Sequence, residues 1–370
     1  VAFCRGICSQ AQLSRLENGG ILKDNEVYRK FLDKLNLPFD RVGLVDNSLF
    51  EQAMDDILVY QNSDDLIINA RRYEALIEDF QRKFRNNIVY THYTYVLEFI
   101  VYVLEDELDE ARTLLEYILG TMDILPPKYL VLALHYLGIY YAKSHQYNDA
   151  YKYYTLALEN MLNEGIKNEI IHVDLAVCSI HLRQHLYAVA SLNKAFATFS
   201  QTTKHWITAK IHVYYSIIYL VKGYYDESRK HLEEANHQLN LSKHSNLEVR
   251  GMMLCTSVAL SHMKNEPDMA QATLVRAIEV YPNETTALLQ SIIEGLPYAG
   301  ESTIYRALSN YFNGGHKEKV FENHRHAFIQ RLPIIVKHIV VMDYYHYLKD
   351  KNKYKKALQL IEHYRLHEYE

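Results

Sequence analysis

The stretch GIYYAKSHQYNDAYKYYTLA, from Gly138 to Ala157, places Ala150, Tyr154 and Ala157 at offsets of 12, 16 and 19 from a glycine. The same offsets return at Phe99, Ala111, Leu115 and Ile118; at Ala176, Ala188, Leu192 and Ala195; and at Ser216, Ser228, Leu232 and Ala235. They return again at Val258, Ala270, Leu274 and Ala277, and at Tyr345, Ala357, Ile361 and Tyr364. One pattern in six places marks a repeat protein, whose units bury their apolar faces against one another. A small residue at the second position of every unit, and at the first position in Gly138, Ala176 and Ser216, allows two helices to approach closely, and larger ones fill the groove between units. Short polar turns with an aromatic near the next helix separate these positions, at His145 to Asp149, Lys222 to Asp226 and Asp350 to Tyr354. Each unit is therefore expected to be a helical hairpin.

This spacing resembles the tetratricopeptide (TPR) family over roughly residues 90–370. The resemblance implies an all-α chain, a right-handed superhelix whose first helices line a concave surface suited to an extended peptide or a partner helix. Projecting the repeat register puts Ile139, Lys143, Val177, Ile180, His181, Ile217, Leu220 and His262 on that surface, with Asp174 and Tyr214 nearby. Residues 284–337 are expected to be helical around Leu288 to Leu296, Ile304 to Phe312 and Val320 to Leu332. They fit the offsets poorly, as a degenerate repeat or an inserted hairpin would.

Composition agrees with a helical array. In 370 residues, 49% apolar content supports a core, and only 13 Gly and 7 Pro favour long helices over a many-turned β fold. The 32 Tyr are read mainly as helix-packing residues. Cys4, Cys8, Cys178 and Cys255 show no disulfide or zinc-ribbon spacing, and no secretory or membrane-spanning run is apparent, so a reduced cytoplasm is expected with no cofactor and no metal. A net charge of −5 argues against a chain-wide polyanion surface, although residues 1–45 are mildly basic. His181 with His185, and His363 with His367, have metal-ligand spacing but lack the His-Glu-x-x-His arrangement. Phosphate-binding loops and nucleophile elbows are absent from the sequence, and no enzymatic activity is expected.

At the start, GICSQAQLSRLENG, from Gly6 to Gly19, reads as a turn, a capping Ser9, a helix of eight or nine residues and a glycine stop. Leu13 and Leu16 should face inward, leaving Gln10, Ala11, Gln12 and Arg15 outward; Gln and Arg can read base edges in the major groove. These residues resemble the Xre/Cro-type helix-turn-helix family. By that resemblance Gln10, Gln12 and Arg15 would contact bases, with Ala11 beside them and Ser9 on phosphate. Glu26 to Pro38 looks like the following helix, and the family's earlier helices would precede Gly6, so residues 1–45 are expected to be a partial, truncated domain.

A helix-turn-helix joined to TPR units is similar to the Rgg–Rap–NprR–PlcR–PrgX group of peptide-responsive regulators, the PlcR and NprR branch being nearest in layout. That resemblance implies a cytoplasmic homodimer that binds operator DNA and is switched by a short signalling oligopeptide. Asparagines typically grip the peptide backbone in this group, which marks Asn193 and Asn236 as candidates, with Asp174 where helix A would carry one. The expected division is a reader at 1–45, linker or capping helices at 46–88 (a helix from Asp64 to Arg85 among them) and the sensor at 89–370. The alternative is a Rap-type module that regulates a partner protein without reading DNA; a solenoid scaffold without a peptide ligand is a third reading.

Overall fold

The computed structural model describes residues 4–17, 25–34, 88–122, 125–242, 246–298, 302–314 and 316–364, together with Gly300 and isolated helical positions between 52 and 82. The Asn18-Gly19 stop, residues 35–38, most of the linker-helix span and His367 lie outside the described residues, as do the side chains of Arg15, Leu16 and His363.

The described residues form helices and no strand. They are α1 (Gln10–Glu17), α2 (Asn25–Lys34), α3 (Ile88–Leu104), α4 (Leu108–Thr121), α5 (Pro127–Lys143), α6 (Tyr147–Glu164), α7 (Ile170–His181), α8 (His185–Phe199) and α9 (His205–Val221). There follow α10 (Tyr225–Leu241), α11 (Leu247–Met263), α12 (Pro267–Val280), α13 (Glu284–Glu294), α14 (Thr303–Asn313), α15 (Lys317–Arg331), α16 (Ile334–Asp350) and α17 (Tyr354–Tyr364). The chain divides into two compact units, with the boundary between Tyr136 and Leu137.

Within the first unit, Ser9 caps α1 and Gln12 completes the box. The Gln12 backbone N–H donates to Ser9 Oγ at 3.2 Å, and the Ser9 backbone N–H donates back to Gln12 Oε1 at 2.9 Å. Leu13 turns inward against Cys4, Val27 and Phe31, which tie α1 to α2. Cys4 is therefore a packing residue, and all four cysteines are free thiols.

The repeat register reappears as backbone geometry. Seven residues after the first position of each unit, the chain takes left-handed backbone, at Asp106, His145, Arg183, Gly223, Asn265 and Asn352, with φ between 57° and 78°. The next residue's N–H then reaches back five positions to close a Schellman turn, as in Gln146 to Tyr141, Gln184 to Ser179, Tyr224 to Tyr219 and Glu266 to Ser261, all at 2.8 to 2.9 Å. All six expected hairpins thus turn in the same way.

Packing explains the small residues. A Cβ at Gly138 would come within 2.4 Å of the Tyr154 ring, so only glycine admits that aromatic. Where both small positions are serine, Ser228 Oγ donates to the Ser216 carbonyl at 3.0 Å and the two hydroxyls meet at 2.8 Å, leaving neither buried group unsatisfied. In the second unit α7, α9, α11 and α13 pack in succession, with their hairpin partners alongside. This is the superhelical stacking of TPR hairpins.

Residues 284–337 hold three helices and the start of a fourth. The helix α13 continues the row of first helices, α14 pairs with α15, and α16 packs across α9, α11 and α13. Asp343 anchors α16 by accepting from the Tyr311 hydroxyl at 2.7 Å and from the Lys317 ammonium at 2.8 Å.

Candidate functional site: a groove along the first helices

The face of α7, α9 and α11 that α16 crosses is not filled completely. A cavity of about 200 Å³ remains, bounded by Val177 and His181 of α7, Tyr214 and Ile217 of α9, Met252, Cys255 and Thr256 of α11, and the N-terminal end of α16 at Ile334 and Ile335. Asn283, Thr285 and Pro333 complete it. The floor is apolar, with isolated hydroxyl, imidazole and carboxamide groups, as is usual where a ligand is held by burial and oriented by a few polar atoms.

A polar ladder lies on the same first helices. Burial opposes charge on Lys210, yet Tyr214, Glu248 and Asp174 outweigh it and raise the pKa of the ammonium. Burial, followed by Glu248 and Asp174, raises the Tyr214 phenol to about 12 against the opposing pull of Lys210, so it stays a neutral donor. Asp174, Tyr214 and Glu248 thus couple α7, α9 and α11 electrostatically.

Of the residues expected on the concave surface, Val177, His181, Tyr214 and Ile217 come together at this cavity. Ile139 and Lys143 on α5 are half-buried and line neither this cavity nor the larger one beside it. Leu220 is fully enclosed, so it belongs to the core and not to the surface. His262 faces Asp343 of α16, which offsets part of the lowering of its pKa by burial. Asn193 and Asn236 are exposed on the second helices α8 and α10, and the Asn193 carboxamide oxygen accepts from the Tyr215 hydroxyl at 2.5 Å. Thr256 stands at the offset of Asp174 and Tyr214 and was legible from the register; Pro333 to Ile335 carried no such signal, because nothing local announces that α16 returns across the groove.

In the N-terminal unit, Ser9, Gln10, Ala11 and Gln12 are all exposed on one end of α1. Ser9 and Gln12 spend side-chain groups on the cap, which leaves Gln10 the outward carboxamide of the four.

Among the described residues no group of three or more histidine, cysteine or acidic side chains is arranged to hold a metal, and no helix is long and apolar enough to cross a membrane. The fold is that of a TPR-type helical solenoid. It is similar to the apo form of the quorum sensor NprR from B. thuringiensis, at 13% identity and a TM-score of 0.62, covering 86% of this chain and 98% of that one. It is also similar to NprR in complex with its cognate peptide NprX, at 14% identity and a TM-score of 0.58, covering 85% of this chain and 88% of that one. No family model matches the sequence, and no curated protein matches it.

Proposed function

We propose that the chain is a cytoplasmic, peptide-responsive transcriptional regulator of the Rgg–Rap–NprR–PlcR–PrgX group. A short oligopeptide lies along the first helices of the second unit, and its binding changes how a homodimer presents two reader helices to operator DNA. The observation that carries this reading is the partly apolar cavity at Val177, His181, Tyr214, Ile217 and Thr256, on a face whose neighbouring rungs are charged. Its likeness in fold to NprR, a quorum sensor seen with and without its peptide, supports the same reading. Apolar side chains of the peptide would enter the cavity while its backbone meets the Tyr214 hydroxyl.

The capped helix α1 supports the DNA-reading part, with Ser9 at its N-terminus, Gln10 and Ala11 outward, and Arg15 one turn further on. A dimer follows from the two-fold symmetry of operators read by such helices. Calorimetry of the full chain against the short peptides exported by its own cell tests the sensor; a complete absence of heat removes it. If peptides bind but DNA affinity is unchanged in Gln10→Ala and Arg15→Ala, the Rap-type reading, regulation of a partner protein, takes its place.

A further inference from the structure

The six hairpins share one turn geometry and differ in the charge that the turn carries. In the first, between α3 and α4, Glu105, Asp106, Glu107, Asp109 and Glu110 stand with no basic residue among them. In the last, between α16 and α17, Lys349, Lys351, Lys353, Lys355 and Lys356 stand against Asp350 alone. Both turns are built on a left-handed residue at the same place in the register, Asp106 with φ of 67° and Asn352 with φ of 57°. Counted from that residue, Glu105, Glu107, Asp109 and Glu110 occupy the positions of Lys351, Lys353, Lys355 and Lys356. Over the same positions the four turns between them hold at most two carboxylates and one lysine or arginine, so the single-sign runs belong to the two outermost hairpins.

These charges are only partly used within the chain. Lys353 and Lys356 both reach Glu318 of α15, the latter at 2.9 Å, and Lys349 lies over the Tyr345 ring. Lys351 and Lys355, and on the acidic turn Glu107, Asp109 and Glu110, are exposed and form no ion pair among the described residues.

Between the lysines the surface is apolar. Tyr354 and Leu358, one turn apart on α17, are 60% and 58% exposed, and the Tyr354 hydroxyl donates to Asn352 Oδ1 at 3.1 Å, which holds the ring at the turn. An apolar centre with a charged rim is the make-up of an interface, whereas a surface that serves solubility alone intersperses both signs.

We propose that the turn of the last hairpin docks a second copy of this chain through the turn of its first hairpin. Lys351 and Lys355 meet Glu107, Asp109 and Glu110, and Tyr354 and Leu358 are covered at the centre. Charge complementarity selects this occupant: a nucleic acid would use the lysines and be repelled by the acidic turn, and a second copy uses both. Under two-fold symmetry the contact is made twice. The inference rests on the homodimer of the reading above, to which it gives a surface, and not on the peptide or the operator. Exposed ion pairs contribute little one at a time, so the contact shows most clearly when charges are reversed and like faces like.

Sedimentation of the full chain, without peptide or DNA, tests the surface. The native chain is expected to dimerise at micromolar concentration, and at least about tenfold more weakly at high salt, which screens exposed charges. Reversing one turn, as Lys351→Glu with Lys355→Glu or as Glu107→Lys with Asp109→Lys, should weaken association at least about tenfold. All four side chains are exposed, and circular dichroism verifies that each reversed chain keeps its helices. An equal mixture of the two reversed chains should associate as tightly as the native one, because acid again meets base in both contacts. A mixture no tighter than its components overturns the proposal, as does loss of DNA retention in the lysine-reversed chain with its self-association intact. A dimer indifferent to both reversals overturns this surface and leaves the homodimer standing, whereas a native chain that stays monomeric removes both.

Discussion

His181 lies face-on against Tyr147, ring centroids 3.9 Å apart and planes 10° from parallel, so that one imidazole walls both the groove and the larger cavity beside it. Tyr147 opens α6 and His181 closes α7, so the stack ties two consecutive hairpins at the site. Tyr147→Ala should loosen His181 and weaken any ligand shared by the two cavities, at a stability cost of about 2 to 4 kcal/mol from the lost aromatic burial. Urea midpoints and ligand titration on the same preparation check both effects; Tyr147→Phe should leave both nearly unchanged.

Acid should destabilise the second unit through two neighbouring histidines. Burial, then Lys222 and Arg183, lowers His185 to about 4, and burial, then His185, lowers His338 to about 4; the Nδ1 of each is enclosed without a partner. Unfolded imidazoles titrate near 6.5, so between about 4 and 6.5 the unfolded chain binds more protons than the folded one. Stability is therefore complete above that window and declines as pH falls through it, by up to about 1.4 kcal/mol per pH unit for each imidazole. Denaturation midpoints at pH 5 and pH 7.5 should differ accordingly, and His338→Phe should shrink the difference. Equal midpoints in the native chain contradict this account.

Gly138→Ala should destabilise the hairpin of α5 and α6. The added methyl would stand 2.4 Å from the Tyr154 ring, an overpacking that costs about 1 to 3 kcal/mol and outweighs the helix-propensity gain of about 1 kcal/mol. Chemical denaturation monitored by circular dichroism decides it; a stabilised variant would show that the ring yields freely.

At the shared turn, Gly223→Ala should cost about 1 kcal/mol because it forces a Cβ into left-handed backbone, where φ is 78°. Gly165, the left-handed cap of α6, should behave alike, whereas Gly120 lies within a helix and should gain from alanine. A melting-point comparison of the three variants separates the two classes.

The reader helix gives a prediction of its own. Gln12 is bound into the Ser9 cap, so Ser9→Ala should unravel α1 at a cost of about 1 kcal/mol, while Gln10→Ala, at an exposed carboxamide, should leave stability unchanged. Reduced operator affinity in Gln10→Ala, with equal melting points, would assign base reading to that side chain.

The hairpins were legible because their signal is local. A small residue at the second position of every unit lets the first helix come close whatever surrounds it, and the turn residues repeat in step. Ser9, Leu13 and the α1 boundaries were readable for the same reason, since capping and periodicity act within one turn of helix. The groove was half legible: Val177, His181, Tyr214 and Ile217 follow from register, and Thr256 would have followed as well. What register cannot supply is long-range. Residues 284–337 break the offsets, and only tertiary packing decides that α16 crosses the first helices and brings Asp343 near His262 and Lys337 near Arg183.

The central claim, that a short peptide occupies the groove of the first helices, is tested most directly by selecting peptides of about five to ten residues from a synthetic library on the full chain and comparing Ile217→Trp, which fills the cavity. The account predicts that the native chain retains a defined set of peptides, and that the variant, with circular dichroism showing it still folded, binds them at least tenfold more weakly. Retention of no peptide by the native chain, or equal affinity in Ile217→Trp, would contradict it.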